Sequence, residues 1–431
     1  MKTLWVSLLA LSFAYFAPLS IDQIGTVQAK ESSASEKKSV RVPAMRNRVY
    51  TQFSRAQEIA DAGDKTGGLA VLDQVKEQIS SLNDYEKAML WNFYGFMHYA
   101  DENLVEASKS FKQVIAQQAI PESLRLSTLY SLAQLSMQQE DYNQTLTYLT
   151  QWESVNTKAL TGAQHILFAQ VYYQNKQYLK SLTAVNQAVE LTKADGKLPK
   201  ENWLILQRAN YYELKQPKQV TQVMEQLVKH YSKPDYWIQL SAMYGEIGEE
   251  KKQLAVMEAA YQAGYITKKQ DLLSLAQLYR FHEVPFKAAD VLAKAIDNGS
   301  LIANERHLEM LAQAYIAAKS DEQALPILHK ASEIAETGKF DVQLAQAYLN
   351  LEQWQQAINA ADKALERGGI KRIGDMHLVL GMAQYNIQEF EESLLAFKAA
   401  ENINTSAKTA KQWYQYVKRE QGQHEKLAML R

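Results

Sequence analysis

The chain reads as an all-α solenoid of about ten helical hairpins, and three observations lead to that class. Large and small apolar residues recur in one fixed order roughly every 34–38 residues, from about residue 45 almost to the C-terminus. Within each stretch the apolar residues fall at i, i+3, i+4 and i+7, which places them on one face of a helix. Gly and Pro number only 17 and 8 in 431 residues and fall mostly between these stretches, as at Pro121, Pro199, Pro234, Gly264, Gly299 and Gly368. Strand-type alternation is essentially absent.

Taken in order, the first stretch runs near Val49 to Leu82 and is degenerate, with Phe53, Ala56 and Ala60 on its first helix. The second carries Trp91, Tyr94, Gly95, Ala107 and Phe111; the third Leu129, Leu132, Ala133, Leu149 and Trp152; the fourth Phe168, Ala169, Tyr172, Ser181 and Ala188. The fifth has Trp203 and Leu206 and is weakest in its second helix, and the sixth has Trp237, Leu240, Ser241, Tyr244 and Ala260. In the seventh to ninth the order is plainest: Leu275-Ala276 with Tyr279, Leu311-Ala312 with Tyr315, and Leu344-Ala345 with Tyr348. The tenth carries Leu380, Gly381, Phe390, Ser393 and Phe397. Residues 408–431 read as a capping helix, with Trp413, Tyr416 and Val417 toward the last apolar face and Lys408, Lys411, Lys418 and Arg419 toward water.

This order of residues is the tetratricopeptide (TPR) signature, which implies a right-handed superhelix over 45–407. A small residue where two helices cross lets their backbones approach. One hairpin cannot cover its own apolar stripe and must stack on the next. Such a repeat is a unit of shape and brings no chemistry of its own.

The first 29 residues read as an export signal: Lys2, a mostly apolar run from Leu4 to Leu19, then Val27-Gln28-Ala29 with small residues suited to cleavage after Ala29. The apolar run is shorter than the ~20 residues that span a bilayer, although retention as an anchor stays open as the alternative. The chain has no Cys, which excludes a lipobox, disulfides and thiolate metal sites. Export without disulfides fits a Gram-negative periplasm. Residues 30–44 read as a Ser-rich flexible lead-in. From Lys30 to Arg48 six cationic residues face Glu31 and Glu36, a net +4 suited to peripheral contact with lipid headgroups or an acidic partner; a solvated tail is the plainer reading. Overall net charge is −1, so nothing global draws the chain to nucleic acid.

No catalytic, metal or cofactor pattern emerges. The eight His lie in different repeats and form no H-E-x-x-H pair. Gly63-Asp64-Lys65-Thr66-Gly67-Gly68 has the wrong spacing for a phosphate loop and no preceding strand, so it reads as a turn between helices. Glu249-Glu250 and Glu391-Glu392 sit where negative charge suits a helix start.

What remains is the face of the first helices not spent on packing. Numbering each repeat so that its small residue is position 8, position 9 over repeats two to ten reads Phe96, Gln134, Gln170, Arg208, Ala242, Gln277, Gln313, Gln346 and Met382, and position 12 reads Tyr99, Met137, Tyr173, Tyr211, Gly245, Arg280, Ile316, Leu349 and Tyr385. The Phe, Gln, Arg and Tyr members are the candidate partner contacts. A Gln row offers donor and acceptor to the backbone of an extended peptide, and Tyr offers a flat apolar surface with a hydroxyl. The same Gln residues also serve as good helix formers on a wet face, and the sequence leaves both readings open.

Arg41-Val42-Pro43-Ala44-Met45-Arg46-Asn47-Arg48-Val49-Tyr50, followed by Arg55-Ala56-Gln57, resembles the start of a periplasmic TPR protein of γ-proteobacteria encoded with TonB–ExbB–ExbD-type energy-transduction systems. The resemblance implies a non-catalytic accessory to the uptake of iron chelates, with TonB, ExbB or ExbD components as partners through an extended neutral peptide. The alternative from residues alone is a TPR scaffold for cell-wall or outer-membrane assembly factors.

Overall fold

The structure, a computed structural model, describes residues 41–429; the expected export signal and most of the expected lead-in lie outside the described residues. Every regular element described is a helix, and no strand occurs among the described residues. The chain divides into two compact units, at Gln216 and Pro217.

The first unit contains α1 (Asn47–Asp61), α2 (Lys65–Lys76), α3 (Asp84–Ala100), α4 (Leu104–Ala116), α5 (Glu122–Gln138), α6 (Tyr142–Val155), α7 (Gly162–Gln174), α8 (Tyr178–Ala194) and α9 (Glu201–Glu213). Consecutive helices pack on one another in chain order, as a stacked repeat requires. Local chemistry sets the helix starts. Asp64, Asn103 and Asp141 each accept a backbone N–H of the following turn, and Asn83 and Thr161 form reciprocal capping boxes with Glu86 and Gln164. The Gly63–Gly68 segment is accordingly a turn followed by a capped helix start.

The second unit contains α10 (Pro217–Tyr231), α11 (Pro234–Glu246), α12 (Glu250–Gln262), α13 (Lys269–Phe281), α14 (Pro285–Asp297), α15 (Glu305–Ala317), α16 (Asp321–Ile334), α17 (Lys339–Asn350), α18 (Trp354–Arg367), α19 (Ile373–Asn386), α20 (Phe390–Glu401) and α21 (Ala407–Met429). The helix expected to be weakest, α10, is well formed: Val220, Val223, Met224 and Leu227 bury one stripe. The fifth repeat is nonetheless where the chain divides, because α9 belongs to the first unit and α10 to the second.

Within a hairpin, position 8 of the first helix meets positions 20 and 24 of the second, and the sizes compensate. Gly95 and Gly381 stand opposite Phe111 and Phe397, whose ring carbons lie 2.5 and 2.7 Å from where a Cβ would be. Where Ala occupies position 8, as in Ala276 and Ala312, Leu292 and Leu328 occupy position 24, and all four are fully buried. The last apolar face is covered by α21, with Ala410 and Val417 fully buried and the Trp413 ring stacked on Phe397 at 5.8 Å. Tyr416, expected on that face, is exposed and reaches sideways to Tyr385 instead.

Candidate partner-binding face

The turn between first and second helices fixes the register of each repeat. Its residue at position 15 adopts positive φ, as at Glu102, Glu140, Lys176, Glu283, Lys319, Glu352 and Gln388. The next backbone N–H reaches back to the carbonyl of position 11, as Gln177 does to Tyr172 at 2.8 Å. In α9 the positive-φ residue is Lys215, and Gln216 N–H donates to the Tyr211 carbonyl at 2.9 Å. Arg208 therefore stands at position 8 and Tyr211 at position 11, one place earlier than the count from Trp203 and Leu206 placed them. Arg208 fills the place of a small residue and is only 8% exposed, so neither residue belongs to the row at positions 9 and 12. Ala209 and Tyr212 take those places, and Tyr212 is largely exposed. The signal for this was present: Pro217 aligns with Pro285 at position 17 and reads the register from the far side of the turn.

Among the others, the first unit contributes Phe96, Tyr99, Gln134, Gln170 and Tyr173, all half-buried. The Phe96 ring is set edge-on against Phe111 at 5.2 Å, and Tyr173 against Tyr178 at 5.4 Å. The Gln134 and Gln170 amides make no hydrogen bond among the described residues. In the second unit Gln277 and Arg280 are exposed and likewise unbonded among the described residues. Gln313 donates to Glu309 Oε1 at 3.3 Å, and Gln346 to Asn350 Oδ1 at 3.0 Å, so these two amides are held along their own helices.

Tyr385 departs from the expected groove. Its hydroxyl is 3.1 Å from that of Tyr416, and its ring packs among Phe390, Trp413 and Tyr416 at centroid distances of 5.6 to 6.4 Å. The Tyr416 hydrogen bond and burial push its phenol up to about 12. Tyr385 is thus part of the seat of α21, a role that only the return of the last helix reveals.

Repeats are joined by a contact that the sequence pattern did not disclose. In the later repeats, position 25 of one second helix meets position 11 of the following first helix, as at Glu225 and Tyr244, Glu258 and Tyr279, and His329 and Tyr348. Tyr244 hydroxyl donates to Glu225 Oε1 at 2.6 Å, and Tyr348 hydroxyl lies 2.6 Å from His329 Nε2; in the second repeat it is Tyr94, at position 7, whose hydroxyl bonds Asp73. Burial, then the hydrogen bond to Glu225, raises the Tyr244 phenol to about 12; Tyr279, facing Glu258, is raised by burial and the charge of Glu258. A lysine lies over several of these rings, Lys76 over Tyr94, Lys252 over Tyr244 and Lys287 over Tyr279, at 5.3 to 5.6 Å.

Two buried carboxylates lock neighbouring elements. Glu86 is 0% exposed and accepts from the Arg46 backbone N–H, Nε and a terminal guanidinium nitrogen at 2.6 to 2.9 Å. Burial works to raise this carboxyl, and the bonds from Arg46 and Asn83 outweigh it and hold it at about 2. Arg46 is therefore engaged in the fold and leaves the set of cations counted as free in the basic lead-in. In the second unit Asp341, also 0% exposed, accepts from Arg367 at 2.8 Å and Ser332 at 2.6 Å, with Lys363 at 3.2 Å.

Among the described residues no group of three or more His, Asp or Glu is placed to hold a metal ion, and no helix is long and apolar enough to cross a membrane. No family model matches the chain, and no curated protein matches it. Solved structures do. The chain is similar to YrrB, described as a TPR protein with an unusual peptide-binding site, at 17% identity over 44% of this chain and 95% of that one, with a TM-score of 0.35. It is similar to the TPR2AB domain of yeast Sti1 in complex with pHSP90, at 16% identity over 60% and 98%, with a TM-score of 0.28. A third is a tetratricopeptide repeat protein of Parabacteroides merdae, at 16% identity over 69% and 99%, with a TM-score of 0.28.

Proposed function

We propose that the chain is a non-catalytic scaffold that binds an extended, uncharged segment of a protein partner along its first helices. One observation carries the reading. In each unit the face that packing leaves over presents amides with unused hydrogen-bonding capacity, Gln134 and Gln170 in the first unit, beside the half-buried rings of Tyr99 and Tyr173, and Gln277 in the second. Amides pair with peptide backbone whatever the ligand's side chains, and Tyr packs on Pro or aliphatic groups. The export signal and the resemblance at Arg41–Tyr50 support a periplasmic setting and a partner from a TonB-type system. The Pro-rich stretch typical of TonB proteins fits such a face.

The test is in-cell crosslinking of the tagged chain, with mass spectrometry of partners in iron-replete and iron-starved cells. TonB, ExbB or ExbD homologues, enriched under iron starvation, are the expected catch. Substituting Gln134 and Gln170, or Gln277, Gln313 and Gln346, by Glu should weaken capture while leaving helix content unchanged. Recovery of wall synthases or outer-membrane assembly proteins would overturn the partner, and unchanged capture by both variants would overturn the face.

A further inference from the structure

The packed side of α9 is polar at positions where the other repeats are apolar. In those others, from the second to the tenth, position 7 is Tyr, Leu or Phe and position 10 is Met, Leu, Val or Ala. In α9 these positions hold Gln207 and Asn210, beside Arg208 at position 8, and all three are nine-tenths or more buried. The two amides are only half used. Gln207 Nε2 donates to Asn186 Oδ1 on α8 at 2.7 Å, and Asn210 Nδ2 donates to the Leu206 carbonyl of its own helix at 2.9 Å. Their side-chain oxygens, three residues apart and so on one side of the helix, accept no hydrogen bond among the described residues. The first half of α9 is different: Trp203, Leu204 and Leu206 are buried and apolar, and Trp203 lies against Gly162 at the start of α7.

This asymmetry decides what opening the helix costs. Exposing an apolar side chain forfeits its burial, whereas exposing Gln207 and Asn210 returns two oxygens to water, where they gain partners. We propose that the second half of α9, from Gln207 to Glu213, is an opening joint. It detaches from α8 as a short unit, while Trp203, Leu204 and Leu206 keep the first half anchored. The segment carries the exposed Tyr212 on the first-helix face and stops three residues short of Gln216, where the first unit ends. Its opening therefore alters that face at the end of the unit and leaves the hairpins before it folded.

The experiment is hydrogen exchange of the full chain at pH 7, read by mass spectrometry and corrected for intrinsic rates. It compares residues 208–213 with the matching stretches 169–174 of α7 and 276–281 of α13. Exchange roughly tenfold faster in α9 than in either of the others is expected. Asn210→Leu supplies the residue type of Leu135 and Leu278 in a similarly branched shape. It should slow exchange of 208–213 about tenfold and leave α7 and α13 unchanged. Equal protection in the three helices would mean that solvent or neighbouring groups satisfy the two oxygens, and would overturn the proposal. Exchange not slowed in an Asn210→Leu chain of unchanged helix content would overturn it as well. Should that variant misfold, the wild-type comparison decides alone.

Discussion

Replacing Glu86 by Gln keeps the shape of a fully buried side chain and removes the charge that three Arg46 nitrogens address. The folded carboxyl is held at about 2 against an ordinary value of 4.5. At ~1.4 kcal/mol per pKa unit that difference is worth about 3 kcal/mol. The Arg46 side chain is 40% exposed, and solvent screening trims the figure to about 2 kcal/mol. A lowered carboxyl pKa stabilises the fold when ionised, so the contribution is complete above pH 4.5 and disappears as pH falls from 4.5 toward 2. Because stacked repeats open locally, the loss should concentrate in α1 and the start of α3. Hydrogen exchange followed by mass spectrometry at pH 7 should show α1 amides exchanging roughly thirtyfold faster in Glu86→Gln, with the second unit unchanged. NMR titration of the wild-type Glu86 carboxyl completes the test. Unaltered α1 exchange in the variant, or a wild-type carboxyl titrating near 4.5, would refute the reasoning.

Gly95→Ala drives a Cβ into the Phe111 ring and should cost about 1–3 kcal/mol, read from the urea midpoint; adding Phe111→Leu, the pairing found at Ala312 and Leu328, should restore most of it. Tyr244→Phe removes the bond to Glu225 and should loosen α10 against α11 by about 1–2 kcal/mol in local exchange, with Gln253→Ala as a control that leaves this bond intact. Asp341→Ala strands Arg367 and should cost about 3–5 kcal/mol, seen as protease cleavage spreading from α16 to α18. If that region resists protease as before, the Asp341 network is not what joins those helices.

The helices were legible because their signals are local. Periodicity, caps such as Asn83 and Thr161, and Pro at helix starts act within a few residues, so each hairpin could be read without its neighbours. The candidate face was legible only in part. Gln134, Gln170 and Gln277 sit on it with free amides, whereas Arg208 and Tyr211 left it because the sequence count slipped by one in a repeat whose small residue is an Arg. Tyr385 left it because α21, some thirty residues later in sequence, returns onto it.

By itself the sequence determined the class of the protein: helix, turn, helix, repeated, with Gly, Ala or Ser where two helices cross. It determined this because each repeat states its own packing in residue size and spacing. Only the tertiary structure decided which polar groups were consumed in holding repeats together. Arg46 reads as a free cation until Glu86 is found against it, and Tyr244 and Tyr348 read as packing residues until the bonds to Glu225 and His329 show what they hold. Those contacts join residues about 20 to 40 positions apart, and no local pattern encodes them because their partners are chosen by stacking.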